Sequence, residues 1–202
     1  LNGLKVEYAH TRPYRGMKLE DIEILHALHE WKVEADYSSA VRLLEPFVRQ
    51  LEQKEDSLAN RNKYYRPLSY LKEKLLLWEI KQQVDSVNVG DSVRPYLKKD
   101  MLEGVYCDDG RRTYYWEGNQ MINTLIAYRI IKNDPSLCKL KENMQLYILR
   151  TKERGWNTYQ ASSAVATVLT DLLAGSGGMS GTSVFVSGKD HQRITEFPYH
   201  AR

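Results

Sequence analysis

Apolar residues recur every three or four positions through most of this chain, in runs separated by short polar or turn-forming breaks. That period commits the chain to amphipathic helices. Ile22, Leu25, Leu28 and Trp31 form the first stripe, and Val41, Leu44, Phe47, Val48 and Leu51 the second. Asp36 to Ser39 supply turn chemistry and N-cap groups between them, and Pro46 is expected to kink the second helix or to move its start beyond Ser39. Leu68, Leu71, Leu75, Leu76, Ile80 and Val84 make the clearest helix, with Lys and Glu on its other face. Glu52 to Arg66 reads as a polar connector or exposed helix end, and Val87 to Pro95 as a loop. A short helical piece is expected over Val93 to Leu102.

Gly104 to Glu117 is aromatic and surrounds a turn at Asp108-Asp109-Gly110, so it reads as a loop or short hairpin. From Asn119 the helical pattern resumes. Met121, Ile122, Leu125, Ile126, Tyr128 and Ile130 are apolar on more than one side, which predicts a well-buried helix. Asn133-Asp134-Pro135-Ser136 stops it, Leu140 to Arg150 makes its partner, and Tyr159 to Leu173 is a further helix. Small residues on one face of that last helix (Ala161, Ser162, Ala164, Ala166, Thr167) favour close approach of a neighbour.

The expected organisation is a helical domain over 1–174, a Gly/Ser linker over 175–181 and a β-hairpin or the start of a β-sandwich over 182–202. Helical hairpins repeating at about forty residues can stack as an open solenoid or close as an α/α toroid, and the pattern does not choose. The 29 basic and 26 acidic residues give a net charge of +3, spread along the chain, which does not suggest a nucleic-acid surface. No apolar run approaches the roughly 18 residues needed to span a membrane. The chain starts without a signal peptide or an initiator Met, and it is read as a fragment or processed piece of a longer protein, from which an export signal could have been lost. Cys107 and Cys138 permit one disulfide without demanding it.

Tyr114-Tyr115-Trp116-Glu117 followed by Met121 to Tyr128, and above all Leu149 to Val165 with its Trp156-Asn157-Thr158 junction and small-residue helix, resemble the thioester-type domain of bacterial alpha-2-macroglobulin-like proteins. The likeness covers roughly the C-terminal 90 residues, and Val184 to Tyr199 falls where such proteins return to a β-sandwich. The resemblance implies an α/α toroid, whole or incomplete, within a peptidase inhibitor of the periplasm or cell envelope. Its partners would be the other domains of the parent chain and, through the intact protein, peptidases. The family's Cys-x-Glu-Gln thioester motif does not occur: Cys107 precedes Asp108-Asp109-Gly110, and Cys138 precedes Lys139-Leu140-Lys141. A non-catalytic segment is therefore expected, without catalytic, cofactor-binding or metal-binding residues.

Several residues invite sharper readings. His26 and His29, with Glu23 one turn before them, could share a helix face around a metal. The acid of HExxH lies inside the histidine pair, however, whereas Glu30 lies outside it, so boundary histidines are expected. Asp108 and Asp109 are the carboxylates that a polysaccharide-cleaving α/α-toroid enzyme would use, but Asp-Gly is foremost a turn former. Tyr106, Tyr114, Tyr115 and Trp116 are candidate binding aromatics; packing of a loop is the commoner role. Asn62-Lys63-Tyr64-Tyr65-Arg66 reads as a solvated connector rather than a single-strand binding patch. A helical-repeat interaction module is the remaining alternative.

Overall fold

The computed structural model describes residues 16–113, 120–152, 158–175, 184–185 and 193–194. Helix α1 spans Glu20–Glu30, α2 Tyr37–Arg61 and α3 Leu71–Asp85. A single turn, α4 (Gly90–Val93), leads through a 3-10 turn at Arg94–Tyr96 into strands β1 (Leu97–Lys99) and β2 (Val105–Cys107). Then follow α5 (Gln120–Ile131), a 3-10 turn at Pro135–Leu137, and α6 (Cys138–Thr151). Helix α7 (Thr158–Ala164) continues through a π-helical stretch, Val165–Leu169, into α8 (Thr170–Gly175). The last elements are β3 (Val184–Phe185) and β4 (Arg193–Ile194), paired antiparallel with Val184 opposite Ile194. The fold is mainly α with a short β segment after the helices, as the patterning predicts.

Polar pairs between helices fix their directions. Along α3, Lys72 meets Glu23 and Glu79 meets His26, so α1 runs parallel to α3. Lys81 meets Glu45 and Lys74 meets Glu52, so α2 runs antiparallel. Glu79 pairs with Arg129 and Gln82 with the Ile130 carbonyl, which keeps α5 close beside α3. Tyr147 reaches Gln120 while Gln145 reaches Tyr128, so α6 is antiparallel to α5. Asp171 of α8 lies beside Tyr128 and Lys132 at the end of α5. Helices α1, α3 and α5 with the α7–α8 segment thus form an inner series of neighbours, and α2 and α6 pack outside it.

Helix α5 is the centre of this arrangement. Ten of its twelve residues, Met121 through Tyr128 with Ile130 and Ile131, are buried. A helix apolar all round is stable in water only when neighbours cover every side. Here α3, α6, α7 and β2 do so. The Thr124 hydroxyl accepts the Cys107 amide at 2.9 Å and donates to the Gln120 carbonyl at 2.6 Å, which joins the hairpin to the helix.

Four expectations are corrected. Helix α2 begins at Tyr37, with Asp36 accepting the Ser39 amide at 3.0 Å, and continues past Pro46 to Arg61. Pro46 is on the exposed side, where water can satisfy the carbonyl left without a partner. Of the two readings of 52–66, the exposed helix end holds through Arg61. The expected helical piece 93–102 is instead a 3-10 turn and a strand. The hairpin turn lies at 100–104, not at Asp108-Asp109-Gly110, because the Asp100 carboxylate gathers the Leu102 and Gly104 amides at 2.9 and 2.7 Å. A Cβ at Gly104 would lie 2.8 Å from the Asp100 carboxylate and would have to push it aside. Finally, Trp31 falls just beyond α1 and is exposed rather than part of the buried stripe.

Candidate functional site

The richest concentration of ionisable groups crosses the inner helices. Helical rotation of roughly 100° per residue puts Lys74 and Lys81 on the α2-facing side of α3. Lys72 and Glu79 lie on nearly the opposite side. The Glu79 carboxylate is 5% exposed. It accepts Arg129 Nε at 2.6 Å and Nη2 at 2.7 Å, and it lies 2.9 Å from His26 Nε2. Burial alone raises its pKa; the bonds from Arg129 and His26 reverse that and hold it at about 2. Both oxygens are engaged, so Glu79 is an anchor joining α1, α3 and α5 rather than a free base. His29, one turn on, packs edge-on against Tyr37, with 5.0 Å between ring centroids. Burial, then the neighbouring His26, lowers its pKa.

The next polar group in the series joins α5 to α6 and α8. The Tyr128 hydroxyl donates to Asp171 at 3.1 Å and accepts Gln145 Nε2 at 2.7 Å. Lys132 completes the group at 3.3 Å from Asp171. Burial first, with Asp171 reinforcing it and the Gln145 bond opposing it, raises the phenol to about 12. It is a neutral connector across the accessible pH range.

On the outer side, a cavity of about 190 Å³ lies between α2 and α3, lined by Val48, Arg49, Glu52, Lys74 and Trp78 among others. Lys74 Nζ sits 4.9 Å from the Tyr96 ring centroid and 5.6 Å from that of Trp78, bonded to the Tyr96 hydroxyl at 2.7 Å and to Glu52 at 3.1 Å. Burial pulls its pKa down, but those partners win and raise it. An aromatic cage is thus already filled by the protein's own ammonium group.

The candidates from the sequence disperse. Asp108 accepts Lys98 Nζ at 3.1 Å and the Gly110 amide at 3.0 Å; Asp109 accepts Ser69 Oγ at 2.7 Å and the Arg111 amide at 3.0 Å. The two carboxylates serve different turn and tertiary contacts. Tyr106 stacks on Tyr147 at 5.1 Å, whereas Tyr114, Tyr115 and Trp116 lie outside the described residues, as do Trp156 and most of the linker. Glu23 pairs with Lys72, and His26 is interior rather than at a boundary. Among the described residues no group of three His, Cys, Asp or Glu side chains could hold a metal, and no helix is long and apolar enough to cross a membrane. Cys107 and Cys138 are free thiols, one buried and one exposed. Burial, with Asp108 and Asp109 adding to it, pushes the Cys107 thiol up to about 12. Tyr65 of the 62–66 patch donates to Glu55 at 2.7 Å, while Tyr64 is exposed.

Two residues escaped the sequence reading. Glu73 and Glu79 belong to the Lys/Glu face expected to be solvated, yet both are buried. Burial raises the pKa of Glu73, with Glu23 and Asp109 adding to it and Lys72 opposing. No local signal distinguishes them from the other acids of α3; their burial depends on which helices flank that face. Comparison of the chain with protein-family models, with curated proteins and with solved structures finds no match in any of the three.

Proposed function

We propose that this chain is a non-catalytic helical segment of an alpha-2-macroglobulin-like peptidase inhibitor of the periplasm or cell envelope, supplying framework and interdomain surface. The identification rests on the resemblance at 149–165. The observation that supports a framework role is the commitment of four acidic groups. Glu79 is held by Arg129 and His26, Asp171 by Tyr128 and Lys132, and Asp108 and Asp109 by separate turn contacts. A glycoside hydrolase needs a carboxyl pair facing one cleft, roughly 5–9.5 Å apart. The adjacent pair from the sequence is directed to Lys98 and to Ser69 instead. The inner series of helices with α2 and α6 outside it is also the layering from which an α/α toroid is assembled.

The test uses the intact protein that carries this segment, incubated with a broad-specificity peptidase. Suppressed hydrolysis of a large protein substrate, with hydrolysis of a small peptide substrate retained, is the expected signature of a trap. Equal hydrolysis of both substrates would overturn the reading, and release of reducing ends from polysaccharide would favour the enzyme alternative.

A further inference from the structure

We propose that the cleft at the C-terminal ends of α3 and α5 binds the guanidinium group of an arginine side chain presented by a polypeptide. The cleft measures about 430 Å³ and is lined by Gln82, Val87, Asn88, Ile130, Asp134 and Pro135, with Ser86 and Asn133 at its edge. That volume lies within the roughly 300–1,000 Å³ of small-ligand clefts. Its character follows from the fold. Helix α3 ends at Asp85 in the left-handed Ser86 (φ 54°), and α5 ends at Ile131 on the same cleft. Two helix C-termini therefore meet at one place, where the negative ends of their dipoles favour a cation, although the Ile130 and Ile131 carbonyls already accept Gln82 Nε2 and the Asp134 amide.

Two acceptors of the cleft wall complete the site, one of them covered. Gln82 Nε2 donates to the Ile130 carbonyl at 2.8 Å, which leaves Gln82 Oε1 buried and without a hydrogen-bond partner. Asp134 accepts the Ser136 amide and hydroxyl on Oδ1 and Asn88 Nδ2 on Oδ2, so Oδ2 retains capacity for a further donor. The Ser136 and Asn88 bonds hold the Asp134 pKa below its ordinary value, and the carboxylate is negative at neutral pH. Lys132 pairs with Asp171, while Arg94, in an exposed pair with Asp91 at 2.9 Å, also acts on Asp134, so a ligand guanidinium competes with it there. Val87 and Pro135 provide apolar contact for an aliphatic stem. A planar fork of five N–H donors can reach acceptors spread over two helix ends, whereas an ammonium concentrates its donors at one point. This inference stands on the cleft alone and is independent of the macroglobulin-like reading.

The test is an amide-shift titration of the 15N-labelled full chain with N-acetyl-arginine methylamide, the corresponding citrulline compound (nearly isosteric and uncharged) and the lysine compound. Saturable shifts at Ser86, Val87, Asn88 and Asn133 are expected with arginine, at least tenfold weaker binding with citrulline, and weaker binding with lysine. Asp134→Asn, which keeps an acceptor for the Ser136 amide and removes the charge, should weaken arginine binding at least fivefold. Val87→Lys, a change at an exposed position that places a cation on the rim, should weaken it by at least fivefold while leaving the thermal melt unchanged. The proposal is overturned by non-saturable shifts, by equal binding of citrulline or lysine, or by indifference to Asp134→Asn in a variant that melts cooperatively.

Discussion

Helix α3 carries one charged cluster toward its inner neighbours and another toward α2, and the two are constructed differently. The inner cluster places a single carboxylate, Glu79, under three donor atoms from α1 and α5. The outer cluster places an ammonium, Lys74, among Glu52, Tyr96 and Trp78, with side chains that remain partly exposed. In the first, water is largely excluded and both oxygens of one carboxylate are engaged, so the loss of Glu79 removes three close contacts at once. In the second, solvent and the aromatic faces share the charge, and the loss of one contact leaves substitutes. Burial, more than the number of ion pairs, decides what each cluster contributes.

The largest expected effect comes from Glu79→Ala, which removes the buried carboxylate that Arg129 and His26 share. A loss of about 3–5 kcal/mol in a denaturant titration is expected. The double substitution Glu79→Leu with Arg129→Met should cost much less than the sum of the single changes, because it removes the charges together. Additive losses would show that the inner cluster is not a coupled unit.

Acid should expose the same asymmetry. The Glu79 pKa falls from its ordinary 4.5 to about 2 on folding. The resulting stability is fully present above pH 4.5 and is lost as pH falls toward 2, amounting to about 3 kcal/mol. Denaturant midpoints measured across that window in the parent and in Glu79→Gln should converge at the acid end. A constant gap would remove Glu79 as the source.

For the outer cluster, Lys74→Met retains the stem against Trp78 and Tyr96 and removes the charge. A loss of about 1 kcal/mol is expected, with the near-ultraviolet signal of Trp78 altered. A loss as large as that of Glu79→Ala would erase the distinction between the clusters. The smallest effect is expected for Lys81→Ala, whose partner Glu45 lies 2.9 Å away with both side chains partly exposed. About 0.5 kcal/mol or less should be lost, and added salt should diminish the difference.

Much of the helical framework was legible in the sequence. The stripe through Leu71, Leu75, Leu76 and Ile80 is fully buried, and the all-round apolar character of 121–130 marked α5 as central. The π-helical stretch at Val165–Leu169 carried no such signal. Of the small residues expected to face a neighbour on that segment, Ala164 and Thr167 are buried while Ser162 and Ala166 are exposed. The hairpin was misplaced by eight residues, Asp108 for Asp100, because both aspartates precede a glycine and both collect backbone amides from the residues that follow. Only pairing across β1 and β2 separates the hairpin turn from the next bend, and pairing is a long-range property.

The sequence by itself determined that this chain forms helices in sequence-adjacent pairs with a short β segment after them. Hydrophobic period, caps and breakers act within a few residues, so they can be read without knowing what packs where. Tertiary structure alone decided that α1, α3 and α5 share one series, that Glu79 becomes a buried anchor while Lys74 fills its own aromatic cage, and that two helix ends meet at one cleft. A helical wheel gives each side chain a direction but not a neighbour. Whether a glutamate on that wheel is solvated, buried and paired, or left to meet a ligand depends on the helix that arrives beside it.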